Sequence, residues 1–276
     1  MKAVPLLAAS ARSSPINRGA LRTEFGFKKG ISGAHMARTI MLADLALLLG
    51  VAPSKAKRDD YCRLIVEENI LGKRTASNRW LTARHLTDLY GLDPTVPIFR
   101  LLRFFWNADR PARPMLALLC AQARDTLLRL SSKIVLETKP GTTLTSEDFA
   151  AFFDQAFPGR FSPAMTLSLA RNVAASWAQA GFFTGKVHKM RAHPVITPAT
   201  AAYALVLGYL SGLQGQILIE SDWARLLDVP RDQVMRLARE ASQRGWLDFK
   251  GAGNILEVNF RQLLTPAEIK ASHGAY

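Results

Sequence analysis

Between residues 221 and 260 the chain reads SDWARLLDVPRDQVMRLAREASQRGWLDFKGAGNILEVNF, and few arrangements satisfy that order of signals. Ser221 stands where a helix N-cap is needed, DVPRD interrupts a first short helix, and Pro230 opens a second, because a helix tolerates proline in its first turn. Projected at about 100° per residue, Val234, Leu237, Ala238 and Ala241 fall on one side of that second helix. Asp232, Met235, Arg236, Arg239 and Gln243 fall on the other. WLDFK and ILEVNF then flank GAGN, as the two strands of a hairpin would. Helix, turn, helix and hairpin in this order predict a winged helix-turn-helix unit. Arg236, Arg239 and Lys250 are its candidate DNA contacts, since a recognition helix anchors by one face and offers donors to phosphates and bases from the other. The same cations also suit an ordinary solvated face, and winged units dock proteins as well as DNA. Both uses of this unit remain open at the sequence level.

A second stretch, NILGKRTASNRWLTARHLT at residues 69–87, holds Lys73, Arg74, Arg79 and Arg84 with no carboxylate among them. Before it a helix is expected over 54–69, capped by Ser54 and turning Tyr61, Leu64 and Ile65 inward. After the Gly-containing turn, Thr75 or Ser77 caps a helix that reaches Tyr90 and closes at Gly91 and Pro94. Two helices across such a turn make a helix-turn-helix candidate. On the second helix Ala83, Leu86 and Tyr90 form an inward stripe, while Trp80, Arg84 and Asp88 share the opposite side. Trp80 either stands outward beside Arg84 or packs against the neighbouring IFRLLRFFW. Lys73, Arg74, Ser77, Asn78 and Arg79 gather at the turn and helix start, where free backbone N–H groups already favour phosphate.

The remaining chain also reads as helical. Residues 34–49 set Met36, Ile40, Leu45, Leu48 and Leu49 at mixed three- and four-residue spacings, which predicts one buried helix. Two helices are expected over 98–133, joined at NADRPARP with Pro114 near the start of the second. The run MLALLCAQARDTLLRL is apolar on most sides and is predicted to be central. Two further helices precede Gly181, after which an alternating stretch is expected to form a hairpin over 182–196. Its cations Lys186, Lys189 and Arg191 face no acid in the sequence and are further candidate DNA contacts. The expected fold is therefore mostly α: a helical body with helix-turn-helix and winged-helix modules and two small β-hairpins, the second over 246–260. The expected organisation is a basic flexible arm (1–26), a helical domain with the helix-turn-helix candidate (27–133), a helical domain with a wing-like hairpin (134–213), and the C-terminal winged-helix unit with its tail (214–276).

Charge narrows the partner. With 36 Lys and Arg against 22 Asp and Glu, the formal charge of +14 exceeds what solubility needs and marks a polyanion partner. Residues 1–133 hold 22 cations and 10 anions and residues 134–276 hold 14 and 12, so the main contact is expected in the first half. The longest apolar run, TIMLADLALLLGVA, is interrupted by Asp44 and is shorter than the roughly 20 residues that span a bilayer, so no membrane association is expected. The N-terminal MKAVPLLAASARSSPINRGALR is broken by Pro5 and reads as a basic arm rather than a signal peptide. Cys62 and Cys120 sit in helical patterns and imply no disulfide framework, which points to a cytoplasmic setting.

Enzyme signatures are missing. The sequence has no phosphate-binding glycine loop, no methyltransferase-type glycine turn, no HExxH and no Cys/His ligand spacing, so no metal or cofactor is expected. His188 and His193 lie five apart among cations that repel a metal. The triplet Glu268-Ile269-Lys270 reads as a solvated terminal helix. Thr166, Ser168 and Ser176 have no His and Asp nearby in the sequence, although triads are assembled in space.

The succession EENILGKRTASNRWLTARHLTDLYGLD, NADRPARPMLALLCAQARDTLLR and GRFSPAMTLSLARNVAASWAQAGFFTGKVHKMRAHPVITP resembles the BrxA family, small accessory proteins of BREX bacteriophage-exclusion systems. The resemblance covers roughly residues 27–213 and leaves the C-terminal unit outside. It implies a helical, non-enzymatic, DNA-binding component that works beside a methyltransferase, an ATPase and other BREX components, with the NILGKRT turn and the GKVHKMR segment as binding positions. The expected partner is double-stranded DNA, held mainly by phosphate contacts. The alternatives are a helix-turn-helix transcription regulator, which would need a dimerisation element or ligand pocket, and a winged-helix protein-interaction scaffold.

Overall fold

Helices carry most of the chain, and each break between them has a local cause. The computed structural model describes residues 19–31, 33–185, 189–252 and 255–273. A 3-10 turn at Ala34–Met36 precedes helix α1 (Leu42–Val51), so the single helix expected over 34–49 is two pieces. The break comes from tertiary hydrogen bonding: Ile40 N–H donates to Ser176 Oγ at 2.9 Å, and Met41 takes the left-handed φ of 50°. Helix α2 (Arg58–Val66) starts later than expected because the Asp60 carboxylate accepts the Lys57 N–H at 2.8 Å, which fixes the N-terminus at Lys57 rather than Ser54. It also ends early, since Asn69 turns at φ 50°. Helix α3 (Ala76–Tyr90) follows the expectation: Thr75 Oγ1 accepts the Asn78 N–H at 3.1 Å, and Gly91 ends the helix at φ 90°. Its stripe of Ala83, Leu86 and Tyr90 is buried, with the Tyr90 hydroxyl donating to Ile40 O.

Helix α4 (Pro97–Ala108) opens on a proline, Pro97. Helix α5 (Arg113–Arg124) starts at a turn holding Pro114, as expected, and is buried from Met115 onward. The helical run continuing past Arg124 breaks at Asp125, whose extended backbone turns its carboxylate onto the N–H groups of Leu127 and Leu128 at 3.0 and 3.1 Å. That cap starts a new helix, α6 (Thr126–Leu130), followed by α7 (Ser132–Glu137). The packed pair α8 (Ser146–Ala156) and α9 (Pro163–Gln179) precedes strands β1 (Phe183–Thr184) and β2 (Met190–Arg191). These strands pair antiparallel, Phe183 opposite Arg191, and residues 141–144 lie alongside, with Thr143 bridged to Met190.

Helix α10 (Pro198–Leu210) is buried along its whole length. Short helices α11 (Gly215–Ile219) and α12 (Asp222–Arg225) lead to α13 (Arg231–Gln243), then to strands β3 (Asp248–Ala252) and β4 (Ile255–Asn259). Val234, Leu237, Ala238 and Ala241 are the buried residues of α13, as its pattern requires. Helix α14 (Pro266–His273) closes the described chain. It is docked rather than solvated, because Glu268 accepts two hydrogen bonds from the Arg100 guanidinium at 2.9 and 2.8 Å. The fold is thus mostly helical with two small antiparallel sheets, and its buried residues form one cluster running from Phe25 to Leu264. Among the described residues no helix is long and apolar enough to cross a membrane.

Candidate nucleic-acid interface

The α2–α3 unit displays its cations unevenly. Lys73 Nζ meets both Asp44 oxygens, at 2.9 and 3.2 Å, so folding supplies from α1 the acid that residues 69–87 lack. Arg79 turns back to donate from Nη1 to the Val66 carbonyl at 2.8 Å, capping the C-terminus of α2. Arg74 and Arg84 are exposed, and neither has an acidic partner among the described residues. Ser77 is exposed, and Asn78 lines an open cleft of about 560 Å³ together with Arg38, Lys73 and residues of α1. Trp80 is 58% exposed, so it does not pack beneath α4.

Two cations join this surface without having been singled out in the sequence. Arg58, at the start of α2, lines the same groove as Trp80 and Arg84. Arg38 lies near His85: burial first, then the charges of Arg38 and Arg84 against the opposing pull of Asp88, hold the His85 imidazole below its ordinary pKa. Arg38, Arg58, Arg74 and Arg84 therefore surround α3 with no ion pair among the described residues. The signal that would have found Arg38 is spatial, since it precedes α1 and reaches α3 only through the packing of the 3-10 turn on α9 and α3.

The hairpin candidates divide differently. Arg191 is 2% exposed and belongs to the interior, which corrects its assignment as a DNA contact. Its Nε donates to the Val135 carbonyl at 2.9 Å, its Nη2 pairs with Asp228 at 2.8 Å, and its guanidinium lies 4.8 Å from the Phe182 ring centroid. The acid missing from the local sequence arrives from the turn before α13. Lys189 is half-buried, and burial lowers its pKa. Lys186 and His188 lie outside the described residues. In the C-terminal unit Arg236 pairs with Glu240 at 3.3 Å, Arg239 covers the Phe249 ring at 5.5 Å, and Lys250 is exposed on β3 opposite Glu257. Helix α3 packs on α2 and α5, whereas α13 packs on α10 and β3, so these candidates sit on different parts of the fold.

One constellation appears only in space. His35 Nδ1 lies 2.8 Å from the Asp125 carboxylate and its Nε2 lies 2.9 Å from Ser176 Oγ, in the connectivity of a hydrolase triad. All three side chains are buried, at 0–1% exposure. Ser176 Oγ already accepts the Ile40 N–H and lies 2.8 Å from the Asn172 carbonyl as a donor, which leaves no approach for a substrate carbonyl in this arrangement. The network instead ties the 3-10 turn, the α5–α6 junction and α9 together. Among the described residues no group of three or more His, Cys, Asp and Glu side chains is placed to hold a metal ion.

No family model and no curated protein matches this chain. The functional reading therefore rests on its own residues.

Proposed function

We propose that this chain is a non-enzymatic DNA-binding accessory protein of a BREX-type phage-defence system, gripping duplex DNA mainly through phosphates. The observation that carries the reading is the set of Arg38, Arg58, Arg74 and Arg84 around α3, held without acidic partners among the described residues and beside the exposed start of the helix. Guanidinium groups without acidic partners suit phosphate recognition, and Arg74, just before the α3 N-cap, adds its charge to backbone N–H groups that already favour an anion. In this reading α2 and α3 act as a helix-turn-helix and α12, α13 and the β3–β4 hairpin as a winged helix. The BREX assignment rests on the resemblance to BrxA.

A second use is favoured for the C-terminal unit. Arg231 and Arg236 are paired with Glu220 and Glu240, and Arg239 and Arg244 lie over Phe249 and Trp246. A winged unit whose α13 arginines are already engaged suits docking to a protein better than gripping phosphate. The deciding measurement is fluorescence anisotropy on a labelled duplex at several salt concentrations. Arg74→Ala with Arg84→Ala should weaken binding by about 1 kcal/mol per contact and make the slope of log affinity against log salt shallower by roughly 0.9 for each. Unchanged binding in that variant would overturn the assignment, and co-purification of the tagged chain from its native host would identify defence-system partners.

A further inference from the structure

The groove between α2 and α3 has a composition that phosphate binding alone does not need. Its volume is about 390 Å³, inside the range of about 300–1,000 Å³ typical of small-ligand sites. The floor is made by Tyr61, Ile65 and Ala83, all buried. Trp80 forms one wall with more than half of its surface in solvent, and Arg58 and Arg84 stand at the same groove. The acid on one edge, Asp88, is tied to Lys28 at 2.7 Å, while Asp59 stays exposed as a hydrogen-bond acceptor.

Trp80 is unlike the other tryptophans. Trp106, Trp177 and Trp223 are buried, and Trp246 is half-buried against Phe105 and Arg244. A large flat aromatic left in water beside two guanidinium groups matches a stacking platform in a cationic groove, the arrangement that single-stranded nucleic acid uses. A base inside a duplex has both faces covered by its neighbours, so only an unpaired base can lie on the indole. The apolar floor is one helix-pair wide and short, which suits a single ring better than the long stripe of a partner helix.

We infer that this groove takes an unpaired nucleobase, stacked on Trp80, with the flanking phosphates on Arg58 and Arg84. This rests on the reading of the chain as a DNA-binding protein and adds a preference for single-stranded or locally opened DNA over uninterrupted duplex. The test uses the full chain with three labelled probes: a mixed-sequence single strand, the matching duplex, and that duplex with a central unpaired stretch. The parent should bind the first and third several-fold tighter than the plain duplex, with quenching of tryptophan fluorescence.

Trp80→Ala should lose about tenfold in affinity for the probes with unpaired bases, as removal of one stacking platform does, and little for plain duplex. Trp80→Phe should keep most of the affinity while losing the quench. Circular dichroism melts should match the parent, since the side chain is exposed. If Trp80→Ala binds every probe like the parent while Arg74→Ala with Arg84→Ala weakens all of them, the groove assignment is wrong and the DNA-binding reading stands. If no probe binds at low salt, both fail. A protein partner from the native host that is lost from Trp80→Ala while probe binding is unchanged would make the groove a protein-docking site and overturn the inference.

Discussion

Arg191 shows how far a residue's role depends on what folding brings to it. In the sequence it stands among cations with no acid near; in the structure its guanidinium is enclosed by Asp228, the Val135 carbonyl and the Phe182 ring. Asp228 is 16% exposed and keeps His193 at 2.8 Å, so the main loss in Arg191→Ala is the unsatisfied Val135 carbonyl; the change should cost about 1–3 kcal/mol of stability, read from urea unfolding, and leave DNA affinity unchanged in the folded protein. Lys73 and Arg79 are similar in kind. Because they join α1 to the turn and α2 to α3, replacing them with alanine should lower the melting temperature as well as affinity. Asp125 gives a pH dependence. Burial pushes its carboxyl up, but the neighbouring His35 ring and the N–H groups of Leu128 and His35 outweigh that and hold it below the usual carboxylate range. A carboxylate with a depressed folded pKa stabilises fully above its unfolded value of about 3.9 and loses that contribution as pH falls through the folded value. Urea midpoints should therefore fall steeply below about pH 4 in the parent, and Asp125→Asn should be destabilised at neutral pH and lack that step. Gly33 supports the same network by closeness, since a Cβ there would sit 2.2 Å from the Asp125 carboxylate.

At the scale of elements, α3 and α13 were legible because their signals are local. Thr75 and Gly91 delimit α3 and an inward stripe orients it; α13 combines Pro230 with a buried face of four residues. Thr75→Ala removes the cap of the helix that carries Trp80 and Arg84 and follows Arg74, and should cost about 1 kcal/mol, with a matching fall in the thermal midpoint. The effect on DNA binding should be small while the helix remains docked on α5. The helix expected over 34–49 failed for a physical reason. Its spacings describe which residues are buried, and Ile40 is buried, but its N–H is satisfied by Ser176 from α9 rather than by a helical carbonyl. Asp125 likewise ends α5 through a side-chain cap that composition does not announce, because an Asp beside Arg124 in a helical run is unremarkable. The first hairpin lies where alternation placed it, yet its strands are two residues each and lean on residues 141–144.

For the whole molecule, the charge excess in residues 1–133 becomes a surface only after pairing is subtracted. Asp44 takes Lys73, Asp88 takes Lys28, Glu268 takes Arg100, and what remains around α3 is Arg38, Arg58, Arg74 and Arg84. Four neutralised phosphates correspond to a slope of log affinity against log salt near −3.6, measurable by anisotropy titration, with little discrimination between duplex sequences. Arg236→Ala with Arg239→Ala should alter that slope less than the α3 pair does, because Glu240 and Phe249 already engage those cations. The sequence by itself determined the helical class, the two hairpins, the caps of α3, the buried face of α13 and the concentration of charge in the first half, all of which depend on neighbours within a few turns of chain. Only the tertiary structure decided which cations stay free, that Trp80 stands in solvent, that Arg191 is interior, and that His35, Asp125 and Ser176 meet. Those outcomes depend on groups distant in sequence, such as His35 and Ser176, 141 residues apart, whose approach is set by packing rather than by local pattern.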